Sequence, residues 1–313
     1  MKRALLGMML VLILTVPGCT TGIGGLGPRD SQALEVPAWE VGDWWLYTFE
    51  TPEFGEDSAR LVVTEEVDAE GHWMLGISSE REAQRHAVIN HNPFLGRVTY
   101  DGLSVYENGM PQPVFSFPWT RGDTWSFTLF GMIWQAETVA VQGHEARMVA
   151  NSGPDLLEIT FDGDRGFIQE LTWSTGPAVN LRMTLTQSGA GHTGDVWFIR
   201  ATDLTDERWQ GLDGEASDTF FDSGHPRGEA FDFLVWYLDV DVDDQGQAGL
   251  TVTDRLGASP LTRAWGSGAT EQGTIGTIPS VTGEYTTLVV MRGSDSDLHL
   301  KIAGGIETRW TLE

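Results

Sequence analysis

The segment Gly42-Asp43-Trp44-Trp45-Leu46-Tyr47-Thr48 recurs eighty residues later as Gly122-Asp123-Thr124-Trp125-Ser126-Phe127-Thr128. In each copy a Gly-Asp turn leads into residues of alternating character rich in aromatics, the pattern of a half-buried strand. Two further anchors follow in the same order: Gly71-His72 matches Gly143-His144, and Thr99-Tyr100-Asp101-Gly102 matches Thr160-Phe161-Asp162-Gly163. The offsets fall from 80 to 72 to 61, so the second copy has the shorter loops. Ordered recurrence of three anchors reads as internal duplication of an antiparallel β-unit. Each unit has too little core alone, so the two are expected to share one curved sheet or barrel and bury their Trp and Phe faces together.

Working outward, short alternating runs continue at Ala59 to Val63, Leu156 to Phe161, Asn180 to Gln187, Leu250 to Asp254 and Thr286 to Met291. Turn dipeptides separate them, among them Glu70-Gly71, Asp101-Gly102, Asn108-Gly109, Asp162-Gly163 and Gln245-Gly246. With no long helical periodicity, the chain is predicted to be all-β: a duplicated β-domain over 38–200, an acidic linker over 201–217 and a C-terminal β-sandwich over 218–313. Phe231 to Val242, Leu250 to Gly257, Leu298 to Ile302 and a Gly283-Glu284-Tyr285 entry into the apolar strand ending at Val290 resemble GOLD and prepeptidase-C-terminal jelly-roll modules. That resemblance covers about a third of the chain and implies interaction; it carries no catalytic residue.

At the other end, Lys2-Arg3 precede a thirteen-residue apolar run from Ala4 to Val16, followed by Pro17-Gly18-Cys19. A basic start, a short apolar stretch and a small residue before the cut describe an export signal. The run is too short to span a hydrocarbon core about 30 Å thick. Val16, Gly18 and Cys19 resemble the prokaryotic lipobox family, which implies cleavage before Cys19 and a diacylglycerol on its sulfur. Pro17 departs from that pattern. Cys19 is the single cysteine, so no disulfide within the chain is possible. The resulting expectation is a chain anchored outside the cytoplasm by lipid, at a cell surface, in a periplasm or on an outer membrane, with the Gly-rich segment 19–37 as a tether reaching about 20–25 Å.

Removal of Lys2 and Arg3 with the leader leaves 17 basic residues against 45 acidic ones, a net charge near −28. Such a surface repels nucleic acid, which is excluded as a partner. Lys301 is then the only lysine. A salty milieu or a GC-rich genome would each produce this bias.

The run Asp239-Val240-Asp241-Val242-Asp243-Asp244-Gln245-Gly246 places carboxylates at every second position, as calcium loops do. Counted from Asp239, an EF-hand-type loop would require Gly where Asp244 stands and Glu where Leu250 stands. Strand alternation accounts for the same residues, so calcium at Asp239, Asp241, Asp243 and Asp244 is an expectation left to geometry. The seven histidines show no zinc-site spacing, and His86 and His91 are read as lying in a polar loop. No serine occupies a nucleophile elbow, and paired carboxylates for glycoside chemistry are recognised by distance in space, not by spacing.

Of the thirteen tryptophans, Trp44, Trp125, Trp173, Trp197 and Trp236 lie in apolar strand patterns and are expected in the core. Trp39, Trp119, Trp209 and Trp265 lie near turns and are the candidates for exposed ligand-stacking faces. Taken together, the sequence predicts a non-enzymatic surface lipoprotein that binds a protein or glycan partner. The alternative is a carrier of an apolar ligand, similar in general design to the Lol lipoprotein-carrier half-barrels, with a cavity lined by Phe115, Phe117, Phe127 and Trp134. A hydrolase is the third reading.

Overall fold

The computed structural model describes residues 33–67, 69–89 and 92–313. Cys19 and residues 20–32 of the expected tether lie outside the described residues, as does His91. The first β-unit contains β1 (Trp44–Thr51), β2 (Gly55–Val67), β3 (His72–Ile77), the helix α1 (Glu80–Ile89), β4 (Gly96–Thr99), β5 (Val105–Glu107) and β6 (Met110–Gln112). The second contains β7 (Thr124–Leu129), β8 (Met132–Gln142), β9 (Glu145–Ser152), β10 (Asp155–Asp162), β11 (Phe167–Thr175) and β12 (Ala178–Gly189). The remainder is β13 (Gly194–Gln210), β14 (Gly214–Asp222), β15 (Phe233–Asp241), β16 (Gln247–Thr253), β17 (Leu261–Trp265), β18 (Thr270–Pro279), β19 (Gly283–Arg292) and β20 (Asp297–Leu312).

The protein is all-β, as its alternation requires. Sixteen strands form one antiparallel sheet running β18-β15-β20-β13-β3-β2-β1-β12-β11-β10-β9-β8-β7, with β4, β5 and β6 branching from β3. The sheet ends at β18 and β7 without closing, so of the two expected forms it is the curved sheet and not the barrel. Its main core gathers Trp45, Tyr47, Phe49, Trp119, Trp134, Phe161 and Phe167.

The duplicated anchors make duplicated hydrogen bonds. Gly42 N–H donates to Val63 C=O at 2.8 Å and Val63 N–H to Asp43 C=O at 2.9 Å; Gly122 N–H donates to Thr138 C=O at 2.8 Å and Thr138 N–H to Asp123 C=O at 3.0 Å. The next hairpin carries a bulge at the same place in both copies, between Val63 and Glu65 and between Thr138 and Ala140. Gly71 and Gly143 then make the turn at φ 68° and 62°, a region open to glycine at little cost.

The copies differ where the first inserts α1 between β3 and β4. Ser79 precedes the helix and Glu82 falls three residues later, the capping-box spacing, and Ser79 Oγ accepts from Glu82 N–H at 3.4 Å. His86 is therefore a buried helical residue and not part of a polar loop.

The expected acidic linker is not a linker. Residues 201–210 are the second half of β13, which pairs with β20 from Gly194 to Gln210, and 214–217 begin β14. The acidic residues fit a strand because alternate positions face away from the apolar side. β13 also joins the two halves of the sheet, by a single pair, Trp197 with Ile77. The C-terminal sandwich is completed by a four-stranded sheet, β14-β19-β16-β17, over a core that includes Leu234, Trp236, Leu238, Tyr285, Val289, Leu298, Leu300 and Ile302.

Candidate functional site

Strand register builds a polar face on the side of β13, β20 and β15 opposite that core. On β20, Leu298, Leu300 and Ile302 point into the sandwich, so His299 and Lys301 point to the other side. Their antiparallel partners share that side: Arg208 and Asp239 lie opposite His299, and Asp206 and Tyr237 opposite Lys301. The face is partly roofed by α1, through Val88 and Ile89 against Val235, Tyr237 and Ala303, and by Phe54 in the β1–β2 turn.

His299, 3 % exposed, presents Nε2 to Asp206 Oδ1 at 2.8 Å and to Glu53 Oε1 at 3.8 Å. One ligand atom from each of Glu53, Asp206 and His299 lies within 4.8 Å of the others, so this group can hold a metal ion. The two carboxylates are exposed, leaving the group open on one side. Lys301 Nζ lies 3.7 Å from both Asp206 Oδ2 and Asp203 Oδ2, so it occupies the far oxygen of Asp206 and leaves Oδ1 to the histidine. Burial raises the Asp203 carboxyl above its usual range against the pull of Lys301. The Phe54 ring stacks over His299 at 6.2 Å and 21°, shielding the imidazole.

Glu53 also borders a polar cleft of about 660 Å³ whose walls include Asp57, Glu82, Arg85, Tyr237 and Asp239. Arg85 ties the cleft together: Nε pairs with Asp57 Oδ2 at 2.8 Å, Nη2 donates to Phe54 C=O at 2.9 Å and Nη1 to Gly273 C=O at 3.4 Å. Burial, and next a hydrogen bond to Asp57, push the Glu82 carboxyl from 4.5 to about 7 against the attraction of Arg85 and Arg81. The Tyr237 hydroxyl is pushed up to about 12, first by burial and then by Asp239. The cleft therefore holds a carboxylic acid that keeps its proton near neutrality beside Asp57 and Glu53.

The acidic run does not converge on an ion. Asp239 reaches this cleft and Asp241 lies further along the same strand, opposite Asp297. Asp243 instead ties a turn, its carboxylate accepting from Gln245 N–H at 3.1 Å, and Asp244 is exposed. Calcium coordinated by the run is thus corrected: alternation along β15 and a local turn use those residues, and the metal-capable group lies elsewhere. Neither Glu53, Asp206 nor His299 stood out in the sequence, because they are brought together by pairing across separations of 93 residues or more.

The four tryptophans expected to be exposed are not. Trp119 is fully buried, and Trp39 is 4 % exposed with Nε1 donating to Gly166 C=O at 2.8 Å. Trp209 and Trp265 are half-buried against the sandwich core, and Trp265 Nε1 donates to Glu271 at 2.7 Å. The space expected for an apolar ligand is filled: Phe115, Phe127 and Trp134 are buried in the main core with Phe117 packed against it.

No family model and no curated protein matches this chain. Among solved structures, the chain aligns with an exo-β-1,3-galactanase from Phanerochaete chrysosporium with galactose, at 8 % identity over 79 % of this chain and 78 % of that one, TM-score 0.20. It aligns with a glycoside hydrolase family 43 arabinoxylan arabinofuranohydrolase from Bacillus subtilis at 10 % identity over 79 % and 66 %, TM-score 0.19. A structure of infectious bursal disease virus, Gx strain, aligns at 10 % identity over 90 % and 75 %, TM-score 0.18. At these TM-scores the alignments transfer neither fold nor activity. The expectation of a module that stacks a glycan or protein partner on exposed indoles is corrected by burial: Trp39 and Trp119 are enclosed, and Trp209 and Trp265 pack against the sandwich core.

Proposed function

We propose that the chain is a lipid-tethered extracytoplasmic protein that binds a divalent transition-metal ion through Glu53, Asp206 and His299. The observation that carries this reading is the convergence of a buried imidazole with two carboxylates within 4.8 Å. The imidazole favours an ion of the zinc or manganese class, whereas calcium takes oxygen ligands and would gain nothing from the nitrogen.

The test is calorimetric titration of zinc, manganese and calcium into the full chain in detergent after chelation. One zinc or manganese ion per chain is expected, with calcium much weaker. His299→Ala and Asp206→Asn should each lose the ion, and equal binding by wild type and both variants would refute the site. The tether is tested separately by metabolic labelling with a clickable fatty acid, which Cys19→Ser should abolish.

The cleft beside the metal group favours a second reading, hydrolysis. Groups pushed apart in acidity can divide the roles of acid and base, and Glu82 is the protonated member. Nitrophenyl esters and glycosides are the probes. Turnover that survives in Glu82→Gln would remove that residue from any such chemistry.

A further inference from the structure

A second cleft, sharing no lining residue with the first, encloses about 790 Å³ between β4, the β5–β6 hairpin, β13, the end of β20 and the turn after β14. We infer that it binds a small soluble organic anion, a phosphate monoester or carboxylate carried on an apolar or aromatic body, through Arg97, Arg200 and Arg227. No lining residue is acidic. In a chain with 45 acidic and 19 basic residues, three arginines on one such wall are a local reversal of sign.

The arginines are not consumed by internal pairing. Among the described residues, Arg97 and Arg227 have no carboxylate partner; Arg97 lies 4.0 Å over the ring of Tyr106. Arg200 is bridged to Glu229, yet its Nε is buried without an acceptor. Glu229 thus offsets one of three positive charges. Arg227 is presented by a tight turn in which Gly228 N–H donates to His225 C=O at 2.8 Å and Arg227 N–H to His225 Nδ1 at 3.2 Å. Gly109, at φ 78°, makes room for it, because a Cβ there would stand 3.2 Å from Arg227 Nη2.

His225 registers the field. Burial, then Arg200, hold its imidazole below the ordinary value, Arg227 adds to that effect, and Glu229 opposes it. Guanidinium forks match the paired oxygens of carboxylate and phosphate, while Tyr106 and Phe198 offer an apolar wall. The strongly negative chain as a whole is repelled by an anionic membrane, which points to a soluble ligand whose charge fits inside the cleft.

Phenyl phosphate titrated calorimetrically into the full chain in non-ionic detergent tests this. One molecule per chain should bind, more weakly as NaCl is raised, with benzyl alcohol inert. Arg97→Gln/Arg227→Gln should weaken binding roughly tenfold or more. Arg121→Gln/Arg255→Gln, which removes the same charge from exposed sites, should leave it unchanged. Equal binding by both double variants, or no binding at all, would overturn the site. Glycerol 3-phosphate binding as tightly as phenyl phosphate would overturn the role given to the aromatic wall.

Discussion

Replacing Glu82 by glutamine should stabilise the protein at alkaline pH and leave it nearly unchanged at acid pH. In the folded state Glu82 keeps its proton up to about 7, whereas in the unfolded chain it ionises near 4.5. The folded state therefore holds the extra proton between those values, and the stability this provides is fully present below 4.5 and lost as pH rises through 7. The gap corresponds to about 3 kcal/mol at about 1.4 kcal/mol per pH unit. Glu82 is only half-buried, so solvent screening reduces the effect to about 1–2 kcal/mol. Glutamine is neutral at every pH and can still donate to Asp57, so Glu82→Gln should match wild type at pH 4.5 and exceed it by that amount at pH 8.5. For a domain of this size the gain is a rise in Tm of about 2–8 °C. Urea and thermal unfolding of both proteins from pH 4.5 to 8.5 provide the measurement. A difference that does not change with pH, or a variant less stable at pH 8.5, would refute the proton assignment.

Trp119→Ala should cost about 3–5 kcal/mol in urea unfolding because the indole is wholly enclosed, and a cost under about 1 kcal/mol would show it exposed after all. Gly304→Ala should cost about 1–3 kcal/mol, since its Cβ would stand 2.3 Å from the Phe231 ring; the variant's urea midpoint reads this directly. Phe130 sits at φ 54° and stacks on Trp173 at 4.7 Å. Phe130→Asn relieves the backbone and removes the stack, two terms of about 1 kcal/mol each, so stability should move by less than that.

Much of the fold was legible because β-structure is written locally. The Gly-Asp turns, alternating aromatics and Gly-His hairpins needed only neighbours along the chain, and the two copies make the same hydrogen bonds. Residues 201–217 resemble a linker in sequence because their acidic and turn-forming residues mask a strand whose partner, β20, begins some ninety residues on. α1 is weakly marked in sequence because ten residues offer little periodicity, although Ser79 and Glu82 carry a capping-box signal. Trp39 and Trp119 looked exposed because proximity to a turn says nothing about what packs over it.

Local sequence thus determined the all-β class, the duplicated unit and the strongly acidic surface, since alternation, turn chemistry and charge act over a few residues. Only tertiary structure decided that the sheet stays open, that β13 joins its halves, and that Glu53, Asp206 and His299 meet. Those outcomes depend on strand register, and register places residues on a shared face through pairing partners that lie far apart in the chain.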